Sequence, residues 1–120
     1  MSGSPLRLAV ASREGQAISE HFGHARRFLV YEVTPEHCQL LETRDVEHYC
    51  LGNAANSPAL SGILAAVSDC QAVFVAKIGD SPAEKLRAIG VQPVSGYAWE
   101  LIDPALQDYA RRRAAGEQPV

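Results

Sequence analysis

The sequence predicts an α/β fold built on a mixed five-stranded sheet, and three observations support this prediction. The 120 residues suffice for one domain with its own hydrophobic core. The first half contains segments with the length and apolar content of strands, separated by turns. The second half alternates strand-like and helical patterns, which is typical of helices packed against the parallel part of a sheet.

The first half is predicted to form three antiparallel strands. Leu6–Ser12 is apolar enough for a buried strand, and Phe28–Val33 is rich in aromatic and β-branched residues. Cys38–Val46 is the third strand, and residues 34–37 form the turn before it. The alternation of side chains along a strand places four of its residues on one face: Leu40, Glu42, Arg44 and Val46. Short connections favour an antiparallel meander.

The second half begins with a predicted helix and a buried strand. Ser57 is suited to the N-cap and Pro58 to the first helical position. The apolar face of this helix is formed by Leu60, Ile63, Leu64 and Val67. Ala72–Ala76 is a continuous apolar run, which is typical of a strand buried on both faces.

Two further helices and an edge strand complete the prediction. Ser81 and Glu84 have the spacing of a capping box, and the helix that they start should end near Gly90. Val91–Val94 is an edge strand, because its proline cannot donate a hydrogen bond to a central ladder. The last helix is expected to run from residue 97 to about residue 113, with its aromatic residues in the core.

The resulting order, β-β-β-α-β-α-β-α, has the ribonuclease-H-like topology, a mixed sheet flanked by helices. Right-handed crossovers make strands one, four and five parallel. Two reversals of direction make strand three point the same way as strand one. We expect a single cofactor-binding domain over residues 1–120, with its core at 6–113 and short flexible termini.

Three segments with metal-ligating or cationic side chains follow strands that point the same way. His21 and His24 follow strand one, His48 and Cys50 follow strand three, and Lys77 follows strand four. Because ligands of open α/β sheets bind outside the carboxyl ends of the strands, we expect these segments to converge there. Imidazole and thiolate groups suit iron, zinc or copper. An isolated histidine in a turn is, however, as often ordinary polar surface.

Positive charge accompanies these candidate ligands. Arg13, Arg26 and Lys77 can balance a negative ligand, and an open helix N-terminus at Ser81 would add backbone donors. Four other residues are interpreted as structural. His37 is expected in a hairpin turn away from this edge, Phe22 as a packing anchor, and Cys38 and Cys70 as small buried hydrophobes.

These segments resemble the dinitrogenase iron–molybdenum cofactor biosynthesis family, which includes the carriers NifX and NafY and the C-terminal domain of NifB. The resemblance extends over about residues 6–110 and rests on six stretches: 10–15, 18–25, 28–33, 44–50, 75–82 and 90–94. It matches His21 and His24 to the family's HFGH segment, and His48 and Cys50 to its RxVxxYC segment.

The resemblance implies a carrier protein without enzymatic activity. The cargo would be an iron–sulfur cluster precursor or the iron–molybdenum cofactor, received from and delivered to nitrogenase assembly proteins. His21 would be the first metal ligand and His24 or Cys50 the second, with Arg13 and Lys77 as electrostatic support. The radical-SAM motif CxxxCxxC is absent from the sequence.

The residues leave two alternative functions open beside the cluster carrier. Three histidines and a cysteine also suit a single zinc or iron ion, or haem, in a regulatory domain. A ribonuclease-H-type nuclease would need carboxylates on strands one and four, which offer Ala11 and Ala76 instead.

The net charge of −3 argues against nucleic-acid and membrane partners. The spacing of the cysteines shows no disulfide framework, and we find neither a signal peptide nor a membrane-spanning segment. These features predict a cytoplasmic protein.

Overall fold

A five-stranded mixed sheet forms the centre of the molecule. The computed structural model describes residues 5–22, 25, 27–45, 64 and 66–116. The strands are β1 (Leu6–Ala11), β2 (Arg27–Thr34), β3 (His37–Asp45), β4 (Ala72–Phe74) and β5 (Gln92–Val94), and two helices are α1 (Asp80–Ala88) and α2 (Ile102–Ala114). The strand order is β3-β2-β1-β4-β5.

The strand directions agree with the prediction. β2 is antiparallel to both β1 and β3, and β4 is parallel to both β1 and β5. The predicted α/β class with a mixed five-stranded sheet is therefore confirmed. No helix within the described ranges has the length and apolar character needed to span a membrane.

Each face of the sheet has its own hydrophobic core. One core lies beneath α2, and it includes Leu8, Val10, Phe74, Leu106 and Tyr109. The other core lies beneath α1, and it includes Ala9, Phe28, Val30, Val73 and Leu86. Because β1 and β4 are covered on both faces, residues 8–11 of β1 and all three residues of β4 are buried, which explains why these stretches are continuously apolar.

The predicted helix before β4 is only partly within the described residues. Ser57, Pro58, Leu60 and Ile63 lie outside them. Residues 64, 66 and 67 have helical conformation, and Val67 is buried in the core beneath α1, with Leu64 packed against it. The prediction is therefore confirmed for the helical conformation and packing of Leu64 and Val67.

The start of α1 differs from the prediction, whereas its end agrees. Gly79 occupies the N-cap position, and no side chain caps the first turn. The predicted capping box is wrong because Ser81 lies inside the helix. At the other end Gly90 has φ +85°, and its N–H and that of Val91 donate to the carbonyl oxygens of Arg87 and Leu86 at 3.0 and 2.9 Å. This Schellman motif requires the left-handed conformation that glycine adopts freely.

α2 begins at Ile102, five residues later than predicted, because residues 97–100 form turns. Tyr97 and Tyr109 are buried, as expected. Trp99 is 63% exposed and Leu101 60% exposed, so the expectation that all aromatic residues of this segment lie in the core is wrong for Trp99. Trp99 has a φ of 70°, and this conformation ends any helix that contains it.

A β-bulge in β3 changes which of its residues share a face. The register places Leu40 opposite Tyr31 and Glu42 opposite Val30, and Leu41 has no β2 partner in this ladder. Since neighbouring β2 residues face opposite sides of the sheet, Leu40 lies on the other face from Glu42 and Arg44. The predicted common face of Leu40, Glu42 and Arg44 is therefore wrong at Leu40. Val46 lies outside the described residues.

An ion-pair cluster joins β1, β3 and the segment before β4. Asp69 Oδ1 accepts from Arg44 Nη1 at 2.7 Å, and Asp69 Oδ2 accepts from Arg7 Nη1 at 2.8 Å. Arg44 Nη1 also donates to the carbonyl oxygen of Ala66 at 2.6 Å. The hydrogen bonds from Arg44 and Arg7, above all that from Arg44, hold the pKa of the Asp69 carboxyl well below its usual range. The folded chain therefore favours the charged carboxylate.

We expect Asp69→Asn to lower the free energy of unfolding by roughly 1 kcal/mol near neutral pH, a modest figure because the cluster is partly exposed to solvent. A lowered folded-state pKa stabilises the protein above the unfolded-state pKa of about 4, and this contribution is lost as the pH falls. The difference between variant and parent should therefore shrink with acidification, as measured by urea denaturation.

Glu36→Gln, which removes an exposed carboxylate from the β2–β3 turn, is the control and should show little difference in stability at either pH. A difference for Asp69→Asn that stays constant from neutral to acidic pH would contradict the assigned role of its charge.

Candidate functional site

The segment after β1 and the turn after β4 meet at the carboxyl edge of the sheet. His21 and Lys77 form a parallel bridge. The N–H of Phe22 donates to the carbonyl oxygen of Lys77 at 2.9 Å, and the N–H of Ala76 donates to that of Glu20 at 2.9 Å. Residues 20–22 thus extend the sheet beside the end of β4. The structure places His21 next to Lys77, as the strand directions predict.

The backbone of His21 is fixed by both of its neighbours. Phe22 is fully buried beside Phe28, with ring centroids 6.0 Å apart, which confirms its predicted role as a packing anchor. The carboxylate of Glu20 accepts from the N–H of His21 at 3.0 Å. His21 itself is half-buried, so its imidazole belongs to a rigid segment that still reaches the surface.

The charges at this edge are more balanced than the sequence suggests. Arg13 Nε lies 3.4 Å from Glu20 Oε1, the same oxygen that accepts from His21. The positive charge of Arg13 is therefore shared with a carboxylate, and a negative ligand would compete with Glu20 for it. Lys77 is exposed. Asp80 in the first turn of α1 opposes anion binding at the helix N-terminus predicted for Ser81.

A polar network closes the loop between β1 and His21. Ser19 Oγ accepts from the N–H of Arg13 at 3.0 Å and donates to Glu14 Oε1 at 2.7 Å. The other oxygen of Glu14 accepts from the N–H of Ala17 at 2.8 Å. Ser12 Oγ accepts from the N–H of Gly15 at 2.8 Å. The hydrogen bond from Ser19 lowers the pKa of Glu14, so the network favours its charged form.

Sequence reasoning missed Ser12, Glu14, Ser19 and Glu20. Their signal was present in the two stretches at 10–15 and 18–25, each of which places a serine before a charged residue. Serine side chains in such loops commonly bond to nearby backbone groups. What the sequence does not reveal is that the two stretches bond to each other.

Several predicted ligands lie outside the described residues, namely His24, His48 and Cys50, together with Arg26. Within the described ranges, no three side chains of His, Cys, Asp or Glu are grouped closely enough to hold a metal ion. The structure therefore positions His21, Arg13 and Lys77 of the predicted set. Their roles in binding stay predictions.

The residues interpreted as structural behave as expected, except that Cys38 is only half-buried. His37 begins β3 at the hairpin turn, where it pairs with Thr34 at the end of the sheet opposite His21. Cys70 is buried and Cys38 is half-buried. Burial raises the pKa of both thiols to about 12, and the nearby carboxylates of Asp103, beside Cys38, and Asp69, beside Cys70, add to this effect.

The fold and this edge define a small α/β domain whose loops after β1 and β4 meet at one end of the sheet. Residues 5–112 match the family model described as dinitrogenase iron-molybdenum cofactor, and the chain therefore belongs to that family. The resemblance predicted from the sequence is confirmed. The family name connects the chain with the cofactor of nitrogenase and with nitrogen fixation.

Similar proteins agree with this assignment. The FeMo cofactor biosynthesis protein NifB of Herbaspirillum seropedicae is 38% identical over 120 residues, which cover 97% of this chain and 23% of that protein. NifB of Azotobacter vinelandii is 40% identical over 105 residues, 85% of this chain and 21% of that protein. The chain thus spans less than a quarter of the length of these curated relatives.

Similarity to solved structures supports the fold. The crystal structure of PH0822 superimposes with a TM-score of 0.56 over 93% of each chain, at 17% sequence identity. At this identity the likeness concerns the arrangement of strands and helices alone.

We expect Ser19→Ala to lower the free energy of unfolding by about 1–2 kcal/mol, because it leaves the N–H of Arg13 and the carboxylate of Glu14 without their shared partner. Ser81→Ala is the matched control. It alters an exposed residue without a capping role and should change stability by less than about 0.5 kcal/mol. Denaturant unfolding of both variants measures the difference, and equal effects would show that the Ser19 network contributes nothing.

Proposed function

We propose that this chain carries an iron–sulfur cluster precursor or the iron–molybdenum cofactor between nitrogenase assembly proteins. Family membership supports this class of cargo. The observation that carries the proposed site is the bridge between His21 and Lys77, which puts an imidazole and an ammonium group on neighbouring positions of the carboxyl edge. The proposed activity is binding and delivery, without an enzymatic step.

The proposed ligand chemistry follows from the donor groups. Imidazole and thiolate are suitable ligands for iron in clusters, with His21 as the first ligand and His24 or Cys50 as the second. His48 would line the same site. A carrier needs few protein ligands, because each additional metal–ligand bond slows release of the cargo to the next protein.

The charged groups would support a negatively charged cargo, because Arg13 can give up its contact with Glu20 and bind the cargo instead. Lys77 is exposed at the edge, and the guanidinium of Arg13 lies 3.4 Å from Glu20. A contact of this length at an exposed guanidinium is weak. Arg13 can therefore turn towards an anionic cluster at little cost, while Glu20 keeps its hydrogen bond to the N–H of His21.

Three further inferences accompany this proposal. We propose that the fold has the ribonuclease-H-like topology expected from the sequence, and the strand order β3-β2-β1-β4-β5 supports this proposal. The donor and acceptor of the cluster would be nitrogenase assembly proteins, in keeping with the names of the relatives. Delivery to such proteins would take place in the cytoplasm, where reducing conditions preserve thiols and clusters.

The test is anaerobic reconstitution of the purified chain with ferrous iron and sulfide, followed by metal and sulfide analysis and visible absorption. We expect several irons with sulfide per chain and charge-transfer absorption. Combined substitution of His21→Ala, His24→Ala and Cys50→Ala should abolish uptake, because it removes the proposed ligands.

His37→Ala is the matched control, since it removes an imidazole from the opposite end of the sheet and should leave uptake unchanged. Unaltered uptake by the triple variant would overturn the proposed site. One zinc or iron ion per chain without sulfide would favour the single-metal alternative.

A further inference from the structure

Trp99 and Leu101 form an exposed apolar patch at the same edge of the sheet as His21. Trp99 is the only tryptophan of the chain. The two side chains are 63% and 60% exposed, more than any other large apolar side chain in the described ranges. They lie against residues 17 and 18 of the segment that connects β1 with His21.

The backbone holds this patch in an unfavourable conformation. Trp99 has φ 70°, a region that bulky residues rarely occupy. Its N–H donates to the carbonyl oxygen of Ile18 at 2.8 Å, and the N–H of Ile18 donates to that of Glu100 at 2.9 Å. Leu101 forms an antiparallel bridge with Ala17. These hydrogen bonds thus hold Trp99 in a strained backbone conformation, although its side chain buries little surface.

An open cavity of about 420 Å³ lies beside the patch. Leu101, Tyr31, Ile102 and Pro104 supply its apolar wall, and Gly15 and Gln16 close it on the side of the loop. A cavity of this size accepts one large apolar side chain from another molecule. Trp99 precedes the lining residue Leu101 by two positions, and exposed tryptophans are typical of the residues that dominate binding at protein interfaces.

Negative charge surrounds the patch. Asp103 lines the cavity, Glu100 lies between the two apolar residues, and the carboxylate of Glu14 accepts from the N–H of Ala17, the bridge partner of Leu101. All three carboxylates are exposed. A second copy of this chain would bring the same three carboxylates to the contact, and an anionic lipid surface would be repelled. The complementary surface is therefore basic.

We propose that Trp99, Leu101 and the adjoining cavity form a docking surface for a partner protein that inserts an apolar side chain and surrounds it with lysine or arginine residues. The cation of the partner stacks on the exposed indole of Trp99 and pairs with the carboxylates, while the apolar side chain fills the cavity. This inference goes beyond the proposed function and does not depend on cluster binding, because every group that carries it belongs to the cluster-free chain.

The test is selection of a phage-displayed library of random dodecapeptides against the immobilised, cluster-free full chain. We expect the enriched peptides to combine net positive charge with an apolar anchor. Synthetic copies should shift the fluorescence of Trp99 to shorter wavelength in a saturable manner. Leu101→Ser should weaken their binding by about tenfold or more, and Asp103→Asn by a smaller factor.

The variants are chosen to keep the chain folded. Serine is favourable at the N-cap of α2, which Leu101 occupies. Trp99→Gly should melt at the same or a higher temperature than the parent, because glycine adopts φ 70° without strain, yet it should lose peptide binding. Ile89→Ser is the matched control, since it removes an exposed apolar side chain at the end of α1 and should leave binding unchanged.

Three outcomes would overturn the proposal. They are the failure of any peptide to enrich, the enrichment of acidic peptides, and equal binding of enriched peptides to Leu101→Ser and to the parent. A large drop in the melting temperature of Trp99→Gly would show that the tryptophan serves folding and would likewise overturn its role in docking.

Discussion

The edge depends on the backbone pairing of residues 20–22 with the chain that leaves β4. This pairing uses two hydrogen bonds of 2.9 Å and the burial of Phe22 in the core beneath α1. A segment of this kind has no freedom to rotate, because a change of register would move Phe22 from the core to the surface. The direction of His21 is therefore decided by the packing of the residue that follows it.

The same loop is also held from its other side. Residues 16–18 bond to residues 99–102 through three backbone hydrogen bonds, from Ile18, Trp99 and Ile102. The chain after β1 thus lies between the segments that follow β4 and β5, and its own serine and glutamate side chains close the turn. Three separate parts of the sequence determine the shape of this edge, so a substitution in any one of them changes the packing of the other two.

The sequence predicts the arrangement of the sheet because crossover handedness and hydrophobic runs leave few alternatives. It predicts the meeting of His21 and Lys77 for the same reason. It does not predict the bulge at Leu41, since one additional residue in a strand leaves the composition unchanged. The predicted capping box is wrong because the helix begins earlier, directly after Gly79. Residues with the spacing of Ser81 and Glu84 occur equally well inside a helix. Trp99 was misplaced because hydrophobicity alone does not reveal a left-handed backbone.

The surroundings of the two described cysteines have a consequence for their reactivity. A raised pKa favours the protonated thiol at neutral pH, and a protonated thiol is a poor nucleophile. Both thiols are therefore disfavoured as thiolate nucleophiles in the folded chain. Their sulfur atoms serve packing, Cys70 within the core beneath α1 and Cys38 against the core beneath α2.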